Sequence, residues 1–130
     1  MAFEVHVVTP EREVWTGRAD EVIAKGVDGD VGILTGHAPM LIRLAVGPLQ
    51  VLTDDGTWLR AVVDGGFLHV STEQGETRVD VLADASQLED EIDVEAANRR
   101  LEELRAGGTE DEAAQTEIAR LEARLALRSA

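Results

Sequence analysis

The segment from Gly29 to Pro39 holds the residues of this chain that are best suited to chemistry. One carboxylate, Asp30, and one imidazole, His37, flank a short apolar core in the run GDVGILTGHAP. Glycine allows turns that strain other residues, and proline fixes one backbone angle, so such a segment has a defined shape. An acid and a histidine on a shaped segment indicate a place where either a substrate or another protein docks.

The other residues needed for catalysis are missing from the pattern. The chain has no cysteine, which excludes disulfides, thiolate catalysis and cysteine-based metal sites. His6 and His69 lie in alternating strand-like runs, where a surface position explains them, and no histidine pair has metal-ligand spacing. The serines lack the glycine-rich context of a nucleophile. We therefore predict no catalytic residues, no metal and no cofactor.

Two further function classes are disfavoured. The segment from Gly29 to Gly36 lacks the Gly-Lys-Ser/Thr ending of a phosphate loop and leads into another strand. A net charge of −14 disfavours nucleic acid, which is bound through lysine and arginine. No uncharged apolar run approaches about 18 residues, so we expect no membrane insertion and a soluble protein on the cytoplasmic side.

Short apolar runs alternate with turn residues up to about Asp84, a pattern typical of β-strands. The turn Asp55-Gly56 between two such runs is a strong hairpin signal. No helical pattern interrupts the series, which favours an antiparallel sandwich or barrel. The predicted strands are Phe3–Val7, Glu21–Lys25, Val31–Leu34, Leu41–Val46, Leu49–Leu52, Trp58–Val63, Phe67–Ser71 and Arg78–Leu82.

Beyond Asp84 the apolar residues recur with helical spacing. Asp93 is suited to cap a first helix that Gly107-Gly108 ends, and Thr109 with Glu112 forms a capping box for a second. The two helices are predicted to pair as an antiparallel hairpin with a thin seam: Val94, Ala97, Leu101 and Leu104 in the first, Ala114, Ile118, Leu121 and Leu125 in the second. Such a hairpin is marginal alone and needs a surface to lie on.

Arg120, Arg124 and Arg128 recur every fourth residue beside the seam of the second helix. One interpretation is a solvated flank with pairing along the helix, such as Glu117 with Arg120. The other is a cationic stripe that suits an acidic partner. His37 also has two compatible interpretations, which are local backbone bonding and partner contact.

Together these motifs resemble the epsilon subunit of bacterial F-type ATP synthases, which corresponds to the mitochondrial delta subunit. The resemblance covers nearly the whole chain, and the segment from Gly29 to Pro39 is its most specific part. Thr35 departs from the family pattern, which usually has proline there. The matching segments are Val7–Pro10, Glu13–Gly17, Gly29–Leu34, Gly36–Pro39, Gly65–Val70 and Val79–Ala85.

The resemblance implies an all-β N-terminal domain, a ten-stranded antiparallel β-sandwich over residues 1–85, followed by an antiparallel α-helical hairpin over residues 86–130. It implies a non-catalytic rotor subunit that couples proton flow to ATP synthesis, bound peripherally at the cytoplasmic side of the cell membrane. The sandwich would dock on the gamma subunit and the c-ring, with Asp30 and His37 facing the c-ring.

The hairpin is expected to extend and meet the alpha and beta catalytic subunits transiently, inhibiting ATP hydrolysis through Arg120, Arg124 and Arg128. Some relatives bind ATP through an Ile/Leu-Asp-x-x-Arg-Ala segment, but here Ala96 stands at the arginine position and removes the phosphate contact. The alternative hypothesis is a stand-alone acidic β-sandwich adaptor with a coiled-coil arm.

Overall fold

A computed structural model describes residues 1–108 and 110–129 of the 130-residue chain, with the side chain of Ser129 left out. It forms a β-sandwich followed by two helices. Over the described part of the chain the strands are β1 Phe3–Val8, β2 Glu13–Gly26, β3 Gly29–Leu34, β4 Met40–Thr53, β5 Trp58–Glu73, β6 Glu76–Ala83 and β7 Ser86–Leu88; the helices are α1 Val94–Ala106 and α2 Glu112–Ser129.

The strands pair in the order β1-β6-β5-β4-β2-β3, and β7 adds to the first half of β5. β2 is shared between two parts of the sheet, because its first half pairs with β1 and its second half with β3 and β4. The sheet therefore closes on itself around one core. Its largest fully buried side chains belong to Phe3, Ile33, Leu49 and Leu68.

The sandwich is confirmed, but its strands are longer and fewer than the ten implied by the resemblance. The predicted strands on either side of Gly47-Pro48 are one continuous strand, β4, and those on either side of Gly65-Gly66 are one strand, β5. The glycines bend these strands without breaking the ladder. Seven strands result within residues 1–108 and 110–129.

One strand pair is parallel, although an antiparallel sandwich was expected. β1 runs parallel to β6, with Glu4 opposite Arg78 and Val8 opposite Leu82. These two strands come from opposite ends of the β-region, so no hairpin turn forces them to run antiparallel. The Asp55-Gly56 hairpin between β4 and β5 is confirmed, with Gly56 at φ +87°.

The bend in β5 depends on glycine. Gly65 and Gly66 have φ values of +95° and +117°, which side-chain-bearing residues rarely adopt. A Cβ atom on Gly66 would lie 2.1 Å from the carbonyl oxygen of Leu82 on β6. The two strands approach this closely only because Gly66 has no side chain.

The helices begin close to where their N-terminal capping residues predict. Asp93 caps α1 by accepting a hydrogen bond from the backbone N–H of Ala96 at 3.0 Å. For α2, Asp111 accepts from the N–H of Ala113 at 3.0 Å, while Thr109, the predicted cap, lies outside the described residues. α2 packs against both α1 and the strands β4 and β5, so the hairpin lies on the sandwich as expected.

We expect Gly66→Ala to lower the free energy of unfolding by about 3 kcal/mol or more, because it adds a backbone clash to an unfavourable φ. The matched control is Gly56→Ala, where φ is also positive but no atom lies within 4 Å of the added Cβ. Its cost should be only about 1 kcal/mol. Urea unfolding followed by tryptophan fluorescence measures both; equal losses would show that the Leu82 contact does not matter.

Candidate functional site

Asp30 and His37 do not lie side by side. Asp30 is exposed on β3, opposite Lys25 of β2, whereas His37 follows the far end of that strand. The four residue-to-residue steps from Asp30 to Leu34 alone span about 13 Å. The structure therefore places the predicted acid and histidine at opposite ends of one edge strand, where they form two separate contacts and no paired acid–base site.

Local hydrogen bonds fix the turn that carries His37. The N–H of His37 donates to the carbonyl of Leu34 at 3.1 Å, and the N–H of Gly36 donates to Thr77 Oγ1 at 2.8 Å. His37 Nδ1 lies 2.8 Å from the carbonyl oxygen of Ala38, the local backbone contact that one interpretation predicted. Thr35 ties the turn to the chain start by donating its hydroxyl hydrogen to the carbonyl of Met1.

A second cluster centres on Asp64, which the sequence did not single out. Asp64 stands immediately before the Gly65–Gly66 bend, and only 4% of its side chain is exposed. Its N–H donates to the carbonyl of Ala85 at 2.9 Å, and Asp84 N–H donates to the carbonyl of Gly65 at 3.1 Å. These bonds hold the carboxylate at the wall of the sandwich that faces α2.

Arg124 of α2 binds this carboxylate through two nitrogen atoms of its guanidinium. Nη1 donates to Asp64 Oδ1 and Nη2 to Asp64 Oδ2, each at 2.8 Å. Nε donates to Gln87 Oε1 at 2.7 Å, and only 14% of the Arg124 side chain is exposed. A buried bidentate pair of this kind is directional and strong, and it is costly to break by removing one partner.

The other two arginines of the predicted stripe also face the sandwich. Arg120 Nε lies 3.9 Å from Asp64 Oδ2, and Arg128 Nη1 donates to the carbonyl of Glu89 at 3.1 Å. The expected pairing of Glu117 with Arg120 is wrong, because Glu117 instead accepts from Arg100 of α1 at 2.7 and 3.0 Å. Arg124 therefore does not lie on a solvated flank, whereas the Arg120 side chain is 40% exposed and Arg128 is exposed.

A small apolar cluster lies beside the charged contact. Val62 of β5, Ile92 before α1 and Leu127 of α2 are buried together, with Val94 and Ala123 packed against them. The sequence pattern missed Leu127, because it lies off the seam that faces α1. Its partner Val62 lies inside a continuous apolar run, where no alternation indicates which face is covered.

A groove of about 560 Å³ runs along the other side of α2, over the bend in β4. Its floor includes Gly47, Pro48 and Gln50, and Lys25 and Arg60 add positive charge. Arg60 is already engaged, since it donates to Glu89 Oε2 at 2.8 Å and to the carbonyl of Leu127 at 3.4 Å. The groove is therefore a seam between helix and sandwich.

Arg12, in the loop between β1 and β2, forms an ion pair with the segment that leads to the helices. Its guanidinium donates to both carboxylate oxygens of Glu91, at 2.8 and 2.9 Å, and Glu91 Oε1 also accepts from Leu88 N–H at 2.8 Å. The bond from Arg12 is the main cause that lowers the pKa of Glu91 below its ordinary value.

Neither a metal centre nor a membrane span is found in the described ranges. No group of three or more histidine or acidic side chains there could hold a metal ion. Of the helices within residues 1–108 and 110–129, none is both long and apolar enough to cross a bilayer.

Comparisons with known proteins match these features over most of the chain. A family model for the ATP synthase delta/epsilon chain β-sandwich domain matches residues 2–88. The ATP synthase epsilon chain of Thermobifida fusca is 42% identical over 123 residues, which covers 93% of this chain and 88% of that protein. The epsilon chain of Frankia casuarinae is 46% identical over 88 residues, which covers 68% of this chain and 99% of that protein.

Among solved structures, a chain of the Euglena gracilis mitochondrial ATP synthase, in an assembly of OSCP, F1 and c-ring, superposes with a TM-score of 0.74. It is 28% identical in sequence, and the match covers 95% of this chain and 81% of that one. The superposition therefore extends beyond the sandwich into the helical hairpin.

We predict that Arg12→Gln raises the pKa of Glu91 toward its ordinary value, because the guanidinium no longer stabilises the carboxylate. In the native chain the lowered pKa contributes stability above the unfolded pKa of glutamate, and this stability is lost as the pH falls through the folded pKa. The backbone amide of Leu88 reports the titration by NMR. Arg18→Gln, remote from Glu91, is the control; an unchanged midpoint in Arg12→Gln would contradict the assignment.

Proposed function

This chain belongs to the delta/epsilon family of ATP synthase subunits, and we propose that it is a rotor subunit that couples c-ring rotation to ATP synthesis. As an epsilon-type chain it is a non-catalytic component of the central stalk. The observation that carries the proposal is the 95% coverage of this chain by a match to a subunit of an F1/c-ring assembly. On this proposal the chain is bound peripherally at the cytoplasmic side of the membrane.

An exposed face of the sandwich is suited to dock on the gamma subunit. Leu41, Phe67 and Leu82 on β4, β5 and β6 are 63%, 41% and 51% exposed. Phe67 lies opposite both Arg43 and Leu82, and the Arg43 guanidinium stacks 5.8 Å from the Phe67 ring centroid. Contiguous exposed apolar side chains with an arginine are typical of protein interfaces.

This outer face is separate from the surface under the hairpin. α2 covers β4 and β5 around Pro48 and Val62, whereas the outer face uses the part of β4 before Gly47 and the part of β5 after Gly66. Binding to the gamma subunit through the outer face therefore leaves the hairpin free to stay docked or to leave.

The edge strand β3 is proposed to contact the c-ring. Asp30 and His37 mark its two ends, and between them Leu34 is 57% exposed, as is Val27 nearby at 53%. An edge strand with exposed apolar and charged side chains is a surface that a partner can cover. Because Asp30 and His37 are far apart, they would act as two contacts along the strand.

We also propose that the hairpin inhibits ATP hydrolysis when it extends toward the alpha and beta subunits. The support is the row of three arginines on one side of α2, in a protein with a net charge of −14. Released from the sandwich, these guanidinium groups would be free to bind acidic groups of a partner.

We expect Leu82→Arg to weaken binding to the gamma subunit by about tenfold or more, since it places a charge at the centre of the proposed interface. Thr57→Arg, in the exposed turn between β4 and β5, is the matched control and should bind normally. Titration of the isolated gamma subunit with each variant measures this. Native affinity for Leu82→Arg would rule out the outer face, and no binding by the native chain would favour the adaptor hypothesis.

Truncation after Leu88 should raise ATP hydrolysis by the reconstituted complex. A rise of about twofold or more corresponds to inhibition of at least half the enzymes by the hairpin. The cut follows β7, so the sheet remains whole, and the Frankia casuarinae relative, 99% of which matches 88 residues, has no length for a comparable hairpin. Unchanged hydrolysis by a complex that still binds the truncated subunit would contradict the inhibitory role.

A further inference from the structure

We propose that the buried ion pair of Asp64 with Arg124, called the latch below, decides whether the hairpin stays docked on the sandwich. In the docked state Asp64 competes with acidic groups of a partner for the guanidinium of Arg124. The consequence inside the complex rests on the proposed inhibitory function, but the latch itself is a property of the isolated chain. It would make docking of α2 and binding of an external carboxylate by Arg124 mutually exclusive.

The first support is the fixed position of the carboxylate. Asp64 belongs to the sandwich, where its backbone bonds to Ala85 and the adjoining Gly65–Gly66 bend hold it in place. Its side chain is 4% exposed, so it needs a cationic partner. In the described part of the chain, the cations within 4 Å of it are Arg124 and Arg120, and both belong to α2.

The second support is the set of hydrogen bonds that Arg124 makes when the hairpin is docked. Both arms of the guanidinium bind Asp64, and Nε binds Gln87 of β7, so in the docked state its hydrogen-bonding edges face the sandwich. An acidic group of a partner would need the same bidentate geometry. Asp64 therefore occupies the site that such a group would take.

The third support is how little else holds α2 in place. The buried apolar contact between α2 and the sandwich centres on Val62, Leu127 and the adjacent Ile92. Two further polar ties of α2 in the described part of the chain, from Arg128 to Glu89 and from Arg60 to Leu127, end on backbone carbonyls. By contrast, pairs such as Arg100 with Glu117 join the two helices and would travel with a released hairpin.

The latch is tested on the full-length chain with a pair of spin labels. The protein has no cysteine, so Asp54→Cys in the β4–β5 turn and Ala119→Cys on α2, both exposed, give two unique attachment sites. A docked hairpin gives one narrow distance, and a released hairpin gives a broad, longer distribution. The fraction of each is read from pulsed electron paramagnetic resonance.

In this labelled background, Asp64→Asn should raise the ratio of released to docked chains by about tenfold or more, because it leaves the largely buried Arg124 without a counter-charge. Arg124→Gln should do the same from the helix side without altering the sandwich. The matched controls are Glu117→Gln and Arg100→Gln, which break an exposed pair within the hairpin and should leave it docked. A docked hairpin in Arg124→Gln would overturn the proposal even if Asp64→Asn failed to fold.

The complex separates this proposal from the inhibitory function. If both hold, Asp64→Asn lowers ATP hydrolysis, because more hairpins are released with Arg124 intact, whereas Arg124→Gln releases the hairpin without this drop. If Asp64→Asn releases the hairpin but hydrolysis is unchanged, the latch stands and the inhibitory role is wrong. If the spin labels show no release, the latch is wrong whatever the hydrolysis rate.

Discussion

The close approach of β5 to β6 at Gly66 is the constraint on which the rest of the molecule depends. A Cβ atom there would lie 2.1 Å from the Leu82 carbonyl, so the strands can meet only where a side chain is missing. The bend lets the 16 residues of β5 pass along two parts of the sandwich as one strand. The sheet can then close, and its apolar faces meet in a single core.

The same bend divides the surface of the sandwich into two regions with different chemistry. Before Gly65, β5 carries Val62 and Asp64, which face the hairpin; after Gly66 it carries Phe67 and His69, which are exposed. One strand thus supports a surface for its own helices and a second surface for a partner.

The docking of the hairpin combines a small apolar contact with one buried ion pair. Burying one valine or leucine contributes roughly 1.5–3 kcal/mol, and the helices offer few such residues to the sandwich. The ion pair of Asp64 with Arg124 adds direction: it is favourable only in the docked geometry, and separation leaves a buried charge without a partner. A contact of this type favours a switch with two defined states over a gradual loosening of the helices.

The sequence by itself determined the two helices, the hairpin between β4 and β5, and the family. Local signals were enough for the Asp55-Gly56 hairpin, the Asp93 cap, the helical spacing after Asp84 and the glycine-rich motif around His37, because each depends on residues close together in the chain. Only the tertiary structure decided that Asp30 and His37 lie apart, that Gly47-Pro48 and Gly65-Gly66 bend strands, and that Arg124 meets Asp64. Asp64 and Arg124 are 60 positions apart. No periodic pattern predicts which charged side chains will be buried against each other when a helix packs on a sheet.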